Sequence, residues 1–341
     1  MSWYVRSAMS ANRTDRWQRL SLTSEALRGN PLGDPHERPL WVWAPEDAAR
    51  RYPAVYVIQG MLGTVGTWFN VQAFTESFPD AVERLQPDAV VVLVDAFTAV
   101  GGSQFVDSPA IGRYHTYLCD ELVPFVDARF PTLPEARHRG IQGKSSGGYG
   151  AMITPLLRPD LFGALATHAG DALFEHAYQR DFAPAARALR DKYDGSYDAF
   201  WRDFRSGRPA FTDKDDPVLI NAYAMAAAYS PRDDGTVELP FDVETGELRP
   251  DVFERWLAWD PVRMARDPRH AETLRNLRGI WIDSGTSDEY WLDLGATAFR
   301  QAVADAGMAD DAVHFELFHG RHGGITWRYP LALSWLVERL S

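Results

Sequence analysis

Gly143-Lys144-Ser145-Ser146-Gly147-Gly148-Tyr149-Gly150-Ala151-Met152 is the stretch on which the fold turns. It follows a short strand pattern near 137–142 and opens a helical one. Its first five residues fit G-x-S-x-G. That spacing describes a sharp strand-to-helix turn, in which the serine takes strained backbone angles and its Oγ projects from the sheet edge. The flanking glycines are needed because a side chain would collide with the neighbouring strand or helix. The helix start also presents free N–H groups and a positive dipole end. Five residues alone arise by chance. The strand before them and the small-residue face of Gly148, Gly150 and Ala151 after them raise the match to a candidate nucleophile, Ser145. Ser146 is the rival serine but lacks the flanking glycine register.

Working outward, Tyr52–Gly60 (YPAVYVIQG) and Asp88–Phe97 (DAVVVLVDAF) are continuous β-branched runs. Such runs mark strands buried on both faces of a parallel sheet. Helical patterns lie between them, around 67–86, and after them, near 113–129. Upstream, 17–22 and 39–45 alternate as half-buried strands separated by turn residues. FGALATHAG at 162–170 is the next strand. The alternation then pauses over 171–275, a polar, aromatic and largely helical segment with a hairpin pattern at 236–248. It resumes with a strand at 277–285, a helix near 292–307, a strand at 312–318 and a helix near 325–340. The expectation is a single α/β domain over 1–341: a mostly parallel, doubly wound sheet with an antiparallel start and a large helical cap at 171–275. Sites in such sheets form beyond the carboxyl ends of the strands.

The 341 residues carry a net charge of -12, with 45% hydrophobic and 24% charged residues. This is a globular composition with ample core material. The acidity argues against nucleic acid and anionic membranes, which need a basic footprint. No apolar run approaches the length of a membrane span. The first twenty residues lack the apolar core of a secretory signal, and the single cysteine, Cys119, excludes an intrachain disulfide. A cytoplasmic location is expected, and a homo-oligomer is left open.

A serine nucleophile needs an oxyanion hole, a base and an acid. The elbow supplies the N–H of Ser146. The loop after the strand VYVIQG supplies Met61, with Leu62 next. Two histidines, His319 and His322, follow the late strand HFELF, where the base should fall in the order Ser…Asp/Glu…His. Their H-x-x-H spacing lacks nearby Cys or acidic ligands, so no metal is expected, and the chemistry calls for no cofactor. His115, His168 and His176 are expected in the pocket or at the surface. Asp288 and Glu289 lie just past the preceding strand and either could serve as the acid. Asp283, inside that strand, is less suited. Arg321 beside the base could meet an anionic substrate group. Leu62, Tyr149 and Trp291 stand beside the motif residues as further candidates for substrate contact. The insertion's aromatic residues, among them Phe200, Trp201, Tyr223, Tyr229, Trp256 and Trp259, suit a core of their own better than a lid lining.

Taken together, these motifs resemble the α/β-hydrolase esterase family that includes S-formylglutathione hydrolase, the enterochelin esterases and the secreted mycolyltransferases. GKSSGGYGA resembles the family's elbow. GTSDEYW resembles its acid loop, which implies Asp288 as the acid, with Glu289 where the mycolyltransferase glutamate would fall. HGRHGGITWRY resembles its histidine loop, which implies His322 as the base through its distance to Trp327. VIQGMLG resembles the oxyanion strand and supports Met61, and VGGSQF at 100–105 resembles a glycine loop bordering the site. The resemblance implies a serine carboxylesterase acting on a small-molecule ester, siderophore-esterase-like in its widest reading. An acyltransferase with the same residues is the alternative, and a non-catalytic binding protein on this fold ranks lower. Arg321 departs from the small residue usual before the histidine, and 171–275 has no counterpart among these motifs.

Overall fold

The computed structural model describes residues 16–341. Most of the N-terminal segment read for a leader lies outside the described residues. Eight strands form one sheet: β1 (Trp17–Thr23), β2 (Glu37–Trp43), β3 (Ala54–Ile58), β4 (Val90–Val94), β5 (Arg139–Lys144), β6 (Ala164–His168), β7 (Gly279–Gly285) and β8 (Val313–Phe318). Their spatial order is β1-β2-β4-β3-β5-β6-β7-β8. β1 pairs antiparallel with β2, and β2 antiparallel with β4. Every later pairing is parallel. This is the antiparallel start on a parallel sheet that the sequence pattern implies.

The two continuous apolar runs become β3 and β4, both buried along their whole length. Period-two alternation sends their side chains to opposite layers. Tyr56 and Ile58 join a core with the helix at 114–127 (α2), while Val55 and Val57 join a second core. That second core also holds Phe78 and Val82 of α1 (Phe78–Leu85) and Leu333, Leu336 and Leu340 of the C-terminal helix. Each buried aliphatic side chain stabilises by about 1.5–3 kcal/mol, so alternation on both faces fixes the register of the central strands.

The stretch around 67–86 is not one helix. A short 3₁₀ turn spans Val65–Phe69, and α1 begins at Phe78. Ser77 caps α1 by accepting the Asp80 N–H at 3.2 Å, and Pro79 sits in the first turn, where a missing N–H costs nothing. The hairpin expected at 236–248 reduces to two isolated antiparallel bridges, Pro231 with Val237 and Phe241 with Leu248. Pro240 has no N–H to continue a ladder, and the Asp242 carboxylate organises the turn instead.

After β5 comes α3 (Ser146–Leu157). Between β6 and β7 run α4 (Phe182–Tyr193), α5 (Tyr197–Phe204), α6 (Asp216–Tyr229), α7 (Pro250–Leu257), α8 (Pro261–Arg266) and α9 (Pro268–Asn276). α10 (Leu292–Asp305) and α11 (Arg328–Leu340) complete the chain. The chain leaves β3 toward β4 on one side and returns to β5 on the other. The crevice beyond the carboxyl ends of β3 and β5 is therefore the switch point of the sheet.

Candidate active site

Ser145 occupies that crevice with φ 57° and ψ -127°. A non-glycine residue pays strain for a positive φ, and it persists only where surroundings enforce it. Here the Ser145 N–H donates to the carbonyls of His168 and Ala169, both at 3.1 Å. The turn is closed too tightly for side chains at the motif glycines. A Cβ on Gly143 would lie 2.3 Å from the Gly147 carbonyl oxygen, and one on Gly147 2.6 Å from that of Ile58.

His322 reaches Ser145 from the loop after β8, with Nε2 at 3.1 Å from Oγ. Its Nδ1 lies 2.9 Å from Oδ2 of Asp288, on the loop after β7. Asp288 is itself held by the Tyr290 N–H, which donates to Oδ1 at 2.8 Å. Glu289 faces elsewhere: its carboxylate accepts the backbone N–H of His322 at 3.0 Å. That bond, with Arg321 nearby, holds the Glu289 carboxyl below its usual range. His319, at the start of the same loop, is exposed. Asp283 pairs instead with the fully buried His168, at 2.9 Å, deep between β6 and β7. His168 thus belongs to the sheet interior and neither to the pocket nor to the surface.

The proposed amide donors differ in availability. Among the described residues, the N–H groups of Met61 and Ser146 have no partner, whereas that of Leu62 donates to the Gly101 carbonyl at 2.8 Å. Gly60 permits the approach of this loop, since a Cβ there would sit 2.8 Å from the Lys144 carbonyl oxygen. The loop at 100–105 lies against it: Gly101, Gly102 and Gln104 border a small recess shared with Gly60 and Ser146.

A cleft of about 650 Å³ opens over Ser145 and His322. Met61, Leu62, Thr67, Trp68 and Phe78 form one side, and Tyr178, Arg180, Phe211, Ile220 and Asn221 another. Of the four residues expected to touch substrate, Leu62 lines this cleft and three do not. Tyr149 is fully buried beneath it, its ring packed on Phe174 and Tyr229, because it lies on the inner face of α3. Arg321 points to solvent with its side chain 75% exposed, 3.9 Å from Glu289. Trp291 is half exposed outside the cleft, at the start of α10. The insertion's aromatics Phe200, Trp201 and Tyr223 pack on one another away from it.

Among the charged groups of the cleft that escaped the sequence reading, Lys144 and Asp171 stand next to Ser145. Lys144, the x before the nucleophile, lines the cleft. Burial pulls the ammonium's pKa down, opposed by the charges of Asp288, Asp171 and Glu289. Asp171 is a buried carboxylate just beyond β6, with Oδ1 3.4 Å from Ser145 Oγ. Its Oδ2 accepts from the Tyr178 hydroxyl at 2.8 Å and the Ser146 hydroxyl at 3.0 Å. Burial raises its carboxyl above the usual range, against the opposing pull of Tyr178, the His322 charge, Ser146 and Gln104. The available signal was an acid directly after Gly170, at the carboxyl end of a parallel strand.

The sheet order and elbow define an α/β-hydrolase fold. The chain belongs to the family described as Putative esterase, whose model matches residues 35–333, and its class is that of carboxylic ester hydrolases. Among solved structures it is similar to a ferulic acid esterase, with TM-score 0.59 and 19% identity over 95% of this chain and 98% of that one. It is similar to an S-formylglutathione hydrolase from Agrobacterium tumefaciens, with TM-score 0.54 and 18% identity over 95% of each chain. It is also similar to the ferric enterobactin esterase of Salmonella typhimurium, with TM-score 0.51 and 14% identity, over 94% of this chain and 57% of that one. At these identities the likeness is one of fold.

Proposed function

We propose that the protein hydrolyses a small-molecule carboxylic ester through a Ser145–His322–Asp288 triad. The observation that carries this reading is the unbroken chain from Oγ to Nε2 at 3.1 Å and from Nδ1 to Asp288 at 2.9 Å, seated on a strained elbow. Oγ attacks the ester carbonyl carbon while its proton passes to Nε2. Asp288 keeps Nδ1–H oriented and stabilises the imidazolium. The free amides of Met61 and Ser146 receive the negative charge on the former carbonyl oxygen. As the C–O bond to the alcohol breaks, the imidazolium returns the proton to the leaving oxygen. Water, activated by the same imidazole, then splits the acyl-enzyme and restores Ser145.

Residues 171–275 act in this scheme as a cap. Their support is positional: Tyr178, Arg180, Phe211 and Asn221 face the cleft from that segment. Ser145→Ala tests the proposal. The variant should lose p-nitrophenyl acetate hydrolysis and covalent labelling by a fluorophosphonate, and retained activity would sink it.

A further inference from the structure

Asp171 is a buried carboxylate beside the nucleophile that the reaction just described leaves unused. A buried carboxylate is costly unless its oxygens are satisfied. Oδ2 is satisfied by Tyr178 and Ser146, with Gln104 at 3.5 Å. Oδ1 has only the 3.4 Å contact to the Ser145 hydroxyl, long for an O–H···O bond. That hydroxyl gives up its proton as the reaction begins, so the contact cannot persist. No arginine or lysine bonds the carboxylate among the described residues. A bare negative charge here also opposes the oxyanion that must form next to it. A donor brought by the substrate satisfies Oδ1, and a cationic donor also offsets the charge.

The position of that donor follows from covalent geometry. Once Oγ approaches the carbonyl carbon, a heteroatom on the adjacent acyl carbon lies about 3 Å from Oγ, three bonds away. Oδ1 stands at 3.4 Å from the same atom, so rotation about the bond between the carbonyl carbon and its neighbour brings the two within hydrogen-bonding reach when the heteroatom turns to the Asp171 side. We infer that Asp171 is a specificity-determining residue that selects acyl groups bearing an O–H or N–H donor, neutral or cationic, on the carbon next to the ester carbonyl. This rests on the esterase reading of Ser145.

Three isosteric phenyl esters test it: propionate, glycolate and glycinate, which differ only in a terminal methyl, hydroxyl or ammonium. Each kcat/KM, read by phenol release near pH 6.5, is divided by that ester's hydroxide-catalysed rate to remove intrinsic reactivity. The wild type should prefer glycolate and glycinate over propionate by about tenfold or more. Asp171→Ala should bring both ratios to within about twofold of one. Asp171→Asn, which keeps an acceptor oxygen without charge, should lose the glycinate preference and keep part of the glycolate one. A ratio near one in the wild type, or an unchanged ratio in Asp171→Ala, overturns the inference. Should the alanine variant fail to fold, the asparagine variant carries the test, since an unchanged glycinate preference there overturns it equally. Failure of the underlying esterase reading looks different: the wild type would then hydrolyse none of the three esters and take no fluorophosphonate label.

Discussion

Asp288 and Glu289 are neighbours in sequence whose carboxylates meet different atoms of His322. Asp288 is sealed against His322 Nδ1, while Glu289 takes the backbone N–H of His322, stands 3.9 Å from Arg321 and is exposed. Asp288→Asn keeps the shape but reverses the hydrogen bond's polarity, favouring the wrong tautomer of His322. Steady-state kinetics on p-nitrophenyl acetate should show kcat falling by about 10⁴-fold, as for the same substitution in a serine-protease triad. Glu289→Gln retains an acceptor for the His322 N–H, and kcat should fall by less than about tenfold. Equal losses would reverse the assignment. Spacing alone could not separate two acids one residue apart, because the Asp288-to-Tyr290 turn that aims them is a backbone property. The motif resemblance favoured Asp288 and kept Glu289 as the alternative, and it is Asp288 that lies 2.9 Å from His322 Nδ1. Asp171 had a positional signal, but its proximity to the nucleophile was not in it: that lies in 3.4 Å to Ser145, across 26 residues of chain. Tyr149 misled because adjacency to the elbow does not reveal which way a helical residue points.

At the level of elements, the carboxyl ends of β6, β7 and β8 are tied by one buried ionic cluster. Asp283 accepts from His168 Nδ1 at 2.9 Å, Trp281 Nε1 at 2.6 Å and Arg328 Nε at 2.9 Å. Arg328 also bonds Glu316, so α11 is pinned to β7 and β8 together. These strands carry the loops that deliver Asp288 and His322. Burial works against the Asp283 charge, yet His168, Trp281 and Arg328 together hold its carboxyl below the usual range. A carboxyl lower in the folded than in the unfolded state stabilises above its unfolded value, about pH 3.9, and loses that contribution as pH falls through the folded value. Thermal melts should therefore show wild-type stability dropping below about pH 4. Asp283→Asn should cost about 3–5 kcal/mol at pH 7, because it removes the buried carboxylate that Arg328 and His168 share and leaves Arg328 only the half-exposed Glu316, and its melting temperature should vary less across pH 3–5. Parallel pH profiles for the two proteins would contradict the account. The strands themselves were legible from their apolar runs. The helix expected over 67–86 was not, since its cleft-facing part, including Gln72 and Thr75, carries no pattern beyond polarity.

For the whole molecule, the question is whether 171–275 is a separable cap. Its helices bury one aromatic cluster jointly with the elbow helix. Trp256 of α7 meets Tyr229 of α6 at 5.7 Å and Tyr178 at 6.0 Å, and Tyr229 meets Tyr149 of α3 at 5.6 Å. Gln104 adds polar links to both tyrosines, donating to Tyr229 at 3.0 Å and Tyr178 at 3.2 Å. These groups sit in the same continuous core as β3 and β4. The helical character of the segment and its aromatic core could be read from composition; this shared packing could not, because it pairs residues about 80 positions apart. A segment packed in this way has no stable unfolded state while the sheet stays folded. Far-UV dichroism and tryptophan fluorescence should therefore follow one coincident denaturant transition. Trp256→Ala, which also leaves the Ser230 hydroxyl without the indole N–H it accepts at 2.7 Å, should lower stability by about 3–5 kcal/mol. If the cluster couples cap and sheet, the variant shifts both signals to lower denaturant together. Two resolved transitions, with only the first moved by the substitution, would make the segment an independent domain resting on the site.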